Sequence, residues 1–344
     1  MKCVSMTDVA NLAGVSKSTV SHVINQTRHV EEGTRQRVLE AICQLDYRPS
    51  SIARSLVLKR TNTAGLLVSD VGNPFYHDVI LGVEDVALAH DYSVFLFNAS
   101  YDLERSTKYI HSMVDKRVDG VLFMSSRMST ELVGELQRHG IPAVILDWGE
   151  HDVEGTATLT VEFETGIRQA AEHLVALGHK RFAHVSGPLD LWTARVRRDT
   201  FLKALQARGV GPAQVPVVEG NLRMSGGRLA LRQLLQADPS PTAVFAANDL
   251  TALGIILEAR DQGLGVPEDL SVIGLDNIAL AEQMVPALTT VDLPRYEIGN
   301  LAMHMLIELL DTPEELREQC AVMSQQVSTS LIVRESTGPA GDPV

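Results

Sequence analysis

The sequence predicts a small all-α head joined to a larger α/β body of two lobes, each a doubly wound parallel sheet. Three observations carry that expectation. Residues 7–26 read TDVANLAGVSKSTVSHVINQ, two short helical stretches either side of a glycine. From Thr63 onward, short apolar runs alternate with longer amphipathic stretches, the texture of a βα repeat. The repeat supplies too many strands for one small sheet, and 344 residues leave room for two or three domains with large cores.

In the head, Ala10 is small enough for a second helix to approach closely, and Gly14 sits where the chain must turn through φ > 0. Ser16 is placed to N-cap the second helix, and Val15, Val20 and Ile24 are expected to form its buried side. A third helix from Glu32 to Leu45, with Val38, Leu39 and Ile42 on one face, would close the core over Val9 and Val20. Lys17, Ser18, Ser21, His22 and Asn25 are left facing outward. Two helices so joined form a helix-turn-helix, whose second helix offers short polar side chains to base edges in the major groove.

Charge agrees with that placement. The whole chain carries −13, but residues 1–60 hold nine Lys and Arg against five Asp and Glu, so head and hinge together are +4 and the remainder −17. A basic head on an acidic body draws a polyanion to one end and repels it from the rest. Pro49 then bars the residue before it from helix, and Ser50–Leu58 is too short to be a stable helix alone. The segment reads as a hinge that becomes helical only when held by DNA or a second copy. The expected divisions are 1–48 for the head, 49–60 for the hinge and 61–340 for the body.

In the body the expected strands are Ala64–Val68, Val94–Phe97, Gly120–Phe123, Ala143–Leu146, Phe182–Val185, Ala243–Ala246 and Val272–Leu275. Between them lie helical stretches at Asp78–Ala89, Gly166–Leu177, Val196–Ala207, Leu229–Ala237 and Thr251–Gln262. Just past the strand cores come Asp70, Asn98, Ser125, Asp147, Ser186, Asn248 and Asp276. Ligands of open α/β sheets bind beyond the carboxyl ends of the strands, so polar residues gathered there suit a hydroxyl-rich small molecule.

Other chemistries are excluded by what the chain lacks. It has no P-loop, GxSxG, HExxH or strand-borne GxGxxG, so no enzyme is expected. Glu162 and Glu164 share a strand face but read as a solvated edge, and His179 and His184 as structural. Cys3, Cys43 and Cys320 are too dispersed for a zinc site or a disulfide frame, so neither metal nor cofactor is expected. With no signal-peptide pattern and no apolar run near ~18 residues, a cytoplasmic protein without a membrane partner is expected.

The motif, the hinge PSSIARSL and the two-lobed body together resemble the lactose/galactose repressor (LacI/GalR) family. The stretches NPFY (73–76), KRVDGVLF (116–123), HLVALGHKRFAHVSGP (173–188), PTAVFAANDLTALG (241–254) and VPEDLSVIGLDN (266–277) extend the resemblance along the chain. TVSHVIN (19–25), VILDWGEHD (144–152) and GPLDLWTARVR (187–197) look most like the ribose repressors. The resemblance implies a periplasmic-binding-protein-like body, with a first lobe of about 61–161 and 292–323 and a second of about 162–291 and 324–337. It implies base reading by Lys17, Ser18 and His22, and phosphate contacts by Thr19, Ser21, Asn25, His29 and Thr34. Leu56, beside Ala53, matches a hinge residue that wedges into the minor groove. Arg197, Asn248 and Asp276 fall on sugar-gripping positions, with Phe75 and Tyr76 covering the ring and Asp147 and Trp148 completing the wall.

At Asn221-Leu222-Arg223 the lactose repressor itself has an aromatic platform, and Trp192 is the candidate replacement. Arg198 and Arg223 leave a sugar acid open as the ligand. The implied protein is a homodimeric repressor of a carbohydrate-utilisation operon, bound to a pseudo-palindromic duplex operator and released by a small sugar inducer, D-ribose first. A purine- or sugar-acid-responsive repressor is the alternative within the family. A transport-type sugar-binding protein is the alternative outside it.

Overall fold

Ser5 opens the head with a reciprocal cap. Its hydroxyl accepts the Asp8 N–H at 3.4 Å while the Asp8 carboxylate accepts the Ser5 N–H at 2.8 Å. The computed structural model describes residues 4–25, 27–47, 60–125, 129–146, 156–237, 240–313 and 324–340. Within the head these form α1 (Met6–Ala13), α2 (Lys17–Asn25) and α3 (Glu32–Gln44). Gly14 ends α1 at φ +65°, the left-handed conformation its place in the turn demands. Ser16 then accepts the Thr19 N–H at 3.1 Å, the N-cap of α2.

The head core is Val9, Ala10, Ala13, Val20, Val23, Val38, Ala41 and Tyr47. Two sequence expectations shift by one helical position. Val23, three residues after Val20, is buried in place of Ile24, which is half-buried. Leu39 is 43% exposed because it lies about 100° round from Val38, and Ala41 fills that side instead.

The body's first lobe is a six-stranded sheet. Its strands are β1 (Thr63–Val68), β2 (Ser93–Asn98), β3 (Gly120–Met124), β4 (Ala143–Leu146), β5 (Ala157–Glu162) and β11 (Ser324–Ser328), in the order β2-β1-β3-β4-β5-β11. All pairings are parallel. Alternate side chains divide between two cores, as the period of two requires. Leu66, Val68 and Leu122 join one, and Leu67, Val121 and Phe123 the other. Helices α4 (Phe75–Ala89), α5 (Leu103–Asp115) and α6 (Thr130–Arg138) connect the strands.

The second lobe repeats the plan. After α7 (Glu164–Ala176) come β6 (Phe182–Ser186), α8 (Trp192–Gln206), β7 (Val217–Glu219), α9 (Met224–Leu234), β8 (Ala243–Ala246), α10 (Asp249–Asp261) and β9 (Ser271–Asp276). The short α11 (Ala279–Gln283) leads to β10 (Thr289–Asp292), and β12 (Ser330–Ile332) closes the sheet. The order is β7-β6-β8-β9-β10-β12, parallel except for β12, which runs antiparallel to β10.

The chain passes between the lobes three times, after β5, before α12 (Arg295–Asp311), which packs on α4, and at Thr329. That last crossing differs from the expectation that residues 324 onward lie in the second lobe. Ser324–Ser328 pairs with β5 and so belongs to the first. Five strands were not expected: β5, β10 and β11 alternate or mix polar residues with apolar ones, and β7 and β12 are only three residues long. Residues 49–59 of the expected hinge lie outside the described residues.

Candidate functional site

Two places collect the expected functional residues, one in each compact unit. On α2, the residues away from the Val20–Val23 side are Lys17, Ser18, Ser21, His22 and Asn25, which share one helical face. Lys17 and Ser18 are exposed, and Thr19, Ser21, His22 and Asn25 half-buried. The Asn25 amide donates to Ser21 Oγ at 3.2 Å, and His22 Nδ1 lies 2.8 Å from Thr27 Oγ1. With Nδ1 so engaged, Nε2 is the ring nitrogen left to present to a partner. His29 is exposed before α3, and Thr34, in its first turn, accepts from Arg37 at 3.2 Å. Ala53 and Leu56 lie outside the described residues.

The second place is the crevice at the carboxyl ends of both sheets, where strand order reverses between β1 and β3 and between β6 and β8. A cavity there holds about 600 Å³ of empty space, its solvent-open part included. Phe75, Tyr76, Arg197, Asn248 and Asp276 all line it. Asn73, Tyr101, Ser125, Thr193 and Leu222 also contribute polar or apolar wall.

Trp192 does not line the cavity. Thr193 and Arg197, four residues apart on α8, take that face, and Trp192 lies about 100° away. Leu222, at φ +60°, stands where the aromatic platform was sought. Asp147 and Trp148 lie outside the described residues.

First-lobe geometry begins with Asn73, whose Oδ1 accepts the Phe75 N–H at 3.0 Å and so fixes the start of α4. Phe75 and Tyr76 meet edge-on, their ring centroids 5.0 Å apart. Tyr76 donates its hydroxyl to the Met124 carbonyl at 3.1 Å, which leaves the ring and not the oxygen for the cavity. Burial raises the phenol pKa of both Tyr76 and Tyr101.

From the second lobe, Arg197 donates to the Ala247 carbonyl at 3.0 Å, and its guanidinium lies 4.9 Å from the Phe163 ring centroid. Asn248 N-caps α10 by accepting from the Thr251 N–H and hydroxyl at 2.9 and 2.6 Å, and donates to the Leu222 carbonyl at 3.0 Å. Asp276 is 3% exposed. Burial pushes its carboxyl up to about 8, against the opposing pull of Arg197. Neighbouring Asp249, held by Thr290 and the Ile278 N–H, is pushed up to about 6 by the same cause.

Asp276 and Asn277 both have positive φ, 119° and 53°. That bend turns their carbonyls toward Arg295 of α12, which donates to both and binds Asp78 of α4 at 2.6 and 2.9 Å.

Two buried polar atoms of the cavity residues have no hydrogen-bond partner, Ser125 Oγ and Arg197 Nε. Buried polar atoms are nearly always paired, so these two mark where a ligand would supply the missing partner. His179 and His184 are structural. His179 bonds Thr242, Ser271 and the Gly338 carbonyl, and His184 bonds the Phe245 carbonyl while stacking on its ring. Glu162 accepts the Thr165 N–H at 2.9 Å at a lobe crossing and forms no acid/base pair with exposed Glu164. Among the described residues no cluster of three metal-ligating side chains occurs, and no helix is long and apolar enough to cross a membrane.

A helix-turn-helix head and a two-lobed body with a polar cleft define a DNA-binding regulator. Residues 5–50 match the model for bacterial regulatory proteins of the lacI family, and residues 171–337 that for a periplasmic binding protein-like domain. The chain is 38% identical to the HTH-type transcriptional repressor PurR of Erwinia tasmaniensis, over 97% of this chain and 98% of that protein. Among solved structures, it is similar to the lac repressor dimer bound to operator and the anti-inducer ONPF, with 29% identity and a TM-score of 0.85. That match covers 98% of this chain and 100% of the other. It is also similar to a LacI family transcriptional regulator from Enterococcus faecium with bound ribose, with 28% identity, a TM-score of 0.71 and coverage of 80% and 99%. The chain belongs to the LacI family of bacterial transcription regulators, and it is a DNA-binding repressor and not an enzyme.

Proposed function

We propose that this repressor works as a cytoplasmic homodimer on a pseudo-palindromic operator and is released from it by a small neutral effector bound in the cleft, with D-ribose the first reading. The observation that carries the effector reading is the pair of unpartnered buried atoms, Ser125 Oγ and Arg197 Nε, beside the Phe75–Tyr76 aromatic pair. A sugar presents hydroxyls that donate to Ser125 and Asp276 and accept from Arg197, and a C–H face that rests on an aromatic ring. The relative from Enterococcus faecium, solved with ribose, is consistent with that choice.

The cleft argues against a sugar acid. Arg198 is paired with Asp199 at 2.6 Å and Arg223 with Asp70 at 2.7 Å, and Arg197 faces Asp276. Among the described lining residues this leaves a ligand carboxylate a single guanidinium, Arg197. A purine base is the second reading, favoured by the similarity to repressors named PurR and by the apolar lining side chains Phe75 and Leu222.

Because the effector would touch α4 of one lobe and β9 and α8 of the other, its binding free energy favours whichever lobe arrangement brings them together. Thermal-shift screening against pentoses, hexoses, sugar acids and purine bases tests this. D-ribose should stabilise the chain by RT ln(1 + [L]/Kd), and stabilisation by a purine alone would select the second reading. Arg197→Ala should bind operator as the parent does yet ignore the effector. Normal release of that variant would sink the cleft assignment.

A further inference from the structure

An ion pair whose two residues lie outside the cavity lining spans the cleft. Arg223 of the second lobe donates from Nη2 to Asp70 Oδ2 of the first at 2.7 Å. We propose that this pair is a latch across the cleft whose strength sets how readily the lobes part, and so tunes effector affinity without touching the effector. The proposal rests on the cleft being the effector site.

Both ends are prepared for the contact. Asp70 follows β1 directly, and its other oxygen accepts the Gly72 N–H at 3.0 Å, which orients the carboxylate. Its side chain is only 14% exposed. Opposite, Arg223 occupies the N-cap position of α9 but makes no cap. Asn221 does that work instead, accepting the Gly226 N–H at 3.0 Å and the Arg223 N–H at 3.1 Å. The guanidinium is therefore released from its own helix and extends to the other lobe.

The same turn ties the latch to the cavity. Leu222, between Asn221 and Arg223, is held at φ +60° with its side chain in the cavity wall and its carbonyl accepting from Asn248. Asp70 also acts electrostatically on Tyr101, another cavity residue. Parting Arg223 from Asp70 thus releases a turn that carries one wall of the site.

The Arg223 side chain is 58% exposed, so the pair is screened by salt and modest in strength. It should shift the open-to-closed ratio by about twofold to fivefold. Even so small a shift is readable by amide hydrogen exchange, which reports rare openings whatever their population.

The test measures exchange in the full-length chain without added ligand, at 50 and 500 mM NaCl, in segments covering Phe75–Tyr76 and Thr193–Arg197. These line the cavity and hydrogen-bond to neither partner, and the β8 segment serves as the internal reference. Exchange in the parent should quicken about twofold to fivefold with salt. Arg223→Ala and Asp70→Ala should exchange fast at both salts, and the double variant Asp70→Arg with Arg223→Asp should regain slow, salt-sensitive exchange. Rates that are equal in the parent and Arg223→Ala at 50 mM NaCl would overturn the latch. The readout needs no effector, so it fails or succeeds separately from the choice between sugar and purine.

Discussion

Asp276 concentrates the chemistry of the cleft in one side chain. Its carboxyl is pushed up to about 8 by burial, far above the unfolded value near 4. The native state therefore holds the proton more tightly than the unfolded chain. The sign follows directly: this residue's contribution to stability is complete below about pH 4 and is lost as pH rises through 8. Asp276→Asn should leave the melting temperature nearly unchanged at pH 4.5. At pH 8.5 it should raise it by on the order of 5 °C, a gain read by differential scanning fluorimetry. An equal gain at both pH values would remove burial of charge as the cause.

That residue was legible in the sequence because a polar side chain ending an apolar run marks a strand's carboxyl end, and Ser125 and Asn248 were found the same way. Tyr101 carried no such signal. It reaches the cavity from a loop at φ +56°, a path that no periodicity records. Trp192 was misplaced by one helical step, which is the resolution limit of reading a face from type alone.

At the level of elements, each lobe has, among the described residues, a pair of helices whose backbones nearly touch. In the first, a Cβ at Gly82 of α4 would overlap the Tyr296 carbonyl of α12, and one at Gly299 would overlap the Val79 carbonyl. In the second, Gly227 of α9 faces the Thr251 carbonyl and Gly254 of α10 faces the Met224 carbonyl in the same way. Both contacts are backbone, which cannot swing aside as a side chain does. Gly254→Ala should therefore destabilise the body by about 2–4 kcal/mol, seen as an earlier urea midpoint with unchanged m. A variant as stable as the parent would show that α9 and α10 separate at little cost. Seven of the twelve described strands and most described helices were legible from apolar periodicity. These glycine pairs were not, because their partners lie 27 residues apart in one lobe and 217 in the other, and only folding brings them together.

For the whole molecule, charge divides labour between its units. Residues 1–60 carry +4 and the remainder −17, so a polyanion is drawn to the N-terminal end while the acidic body adds only repulsion. Operator affinity should fall roughly 10³-fold between 50 and 200 mM salt, measured by fluorescence anisotropy on a duplex carrying the specific site. A flat response would contradict binding through a basic head. The three crossings between lobes have a further consequence, one that concerns synthesis. The head has all of its core by Tyr47, whereas the first lobe lacks its edge strand until Ser324–Ser328 has been made. Nearly 280 residues separate the two events, about 15–60 s of translation. A nascent chain thus carries a complete helix-turn-helix core well before it owns a complete cleft.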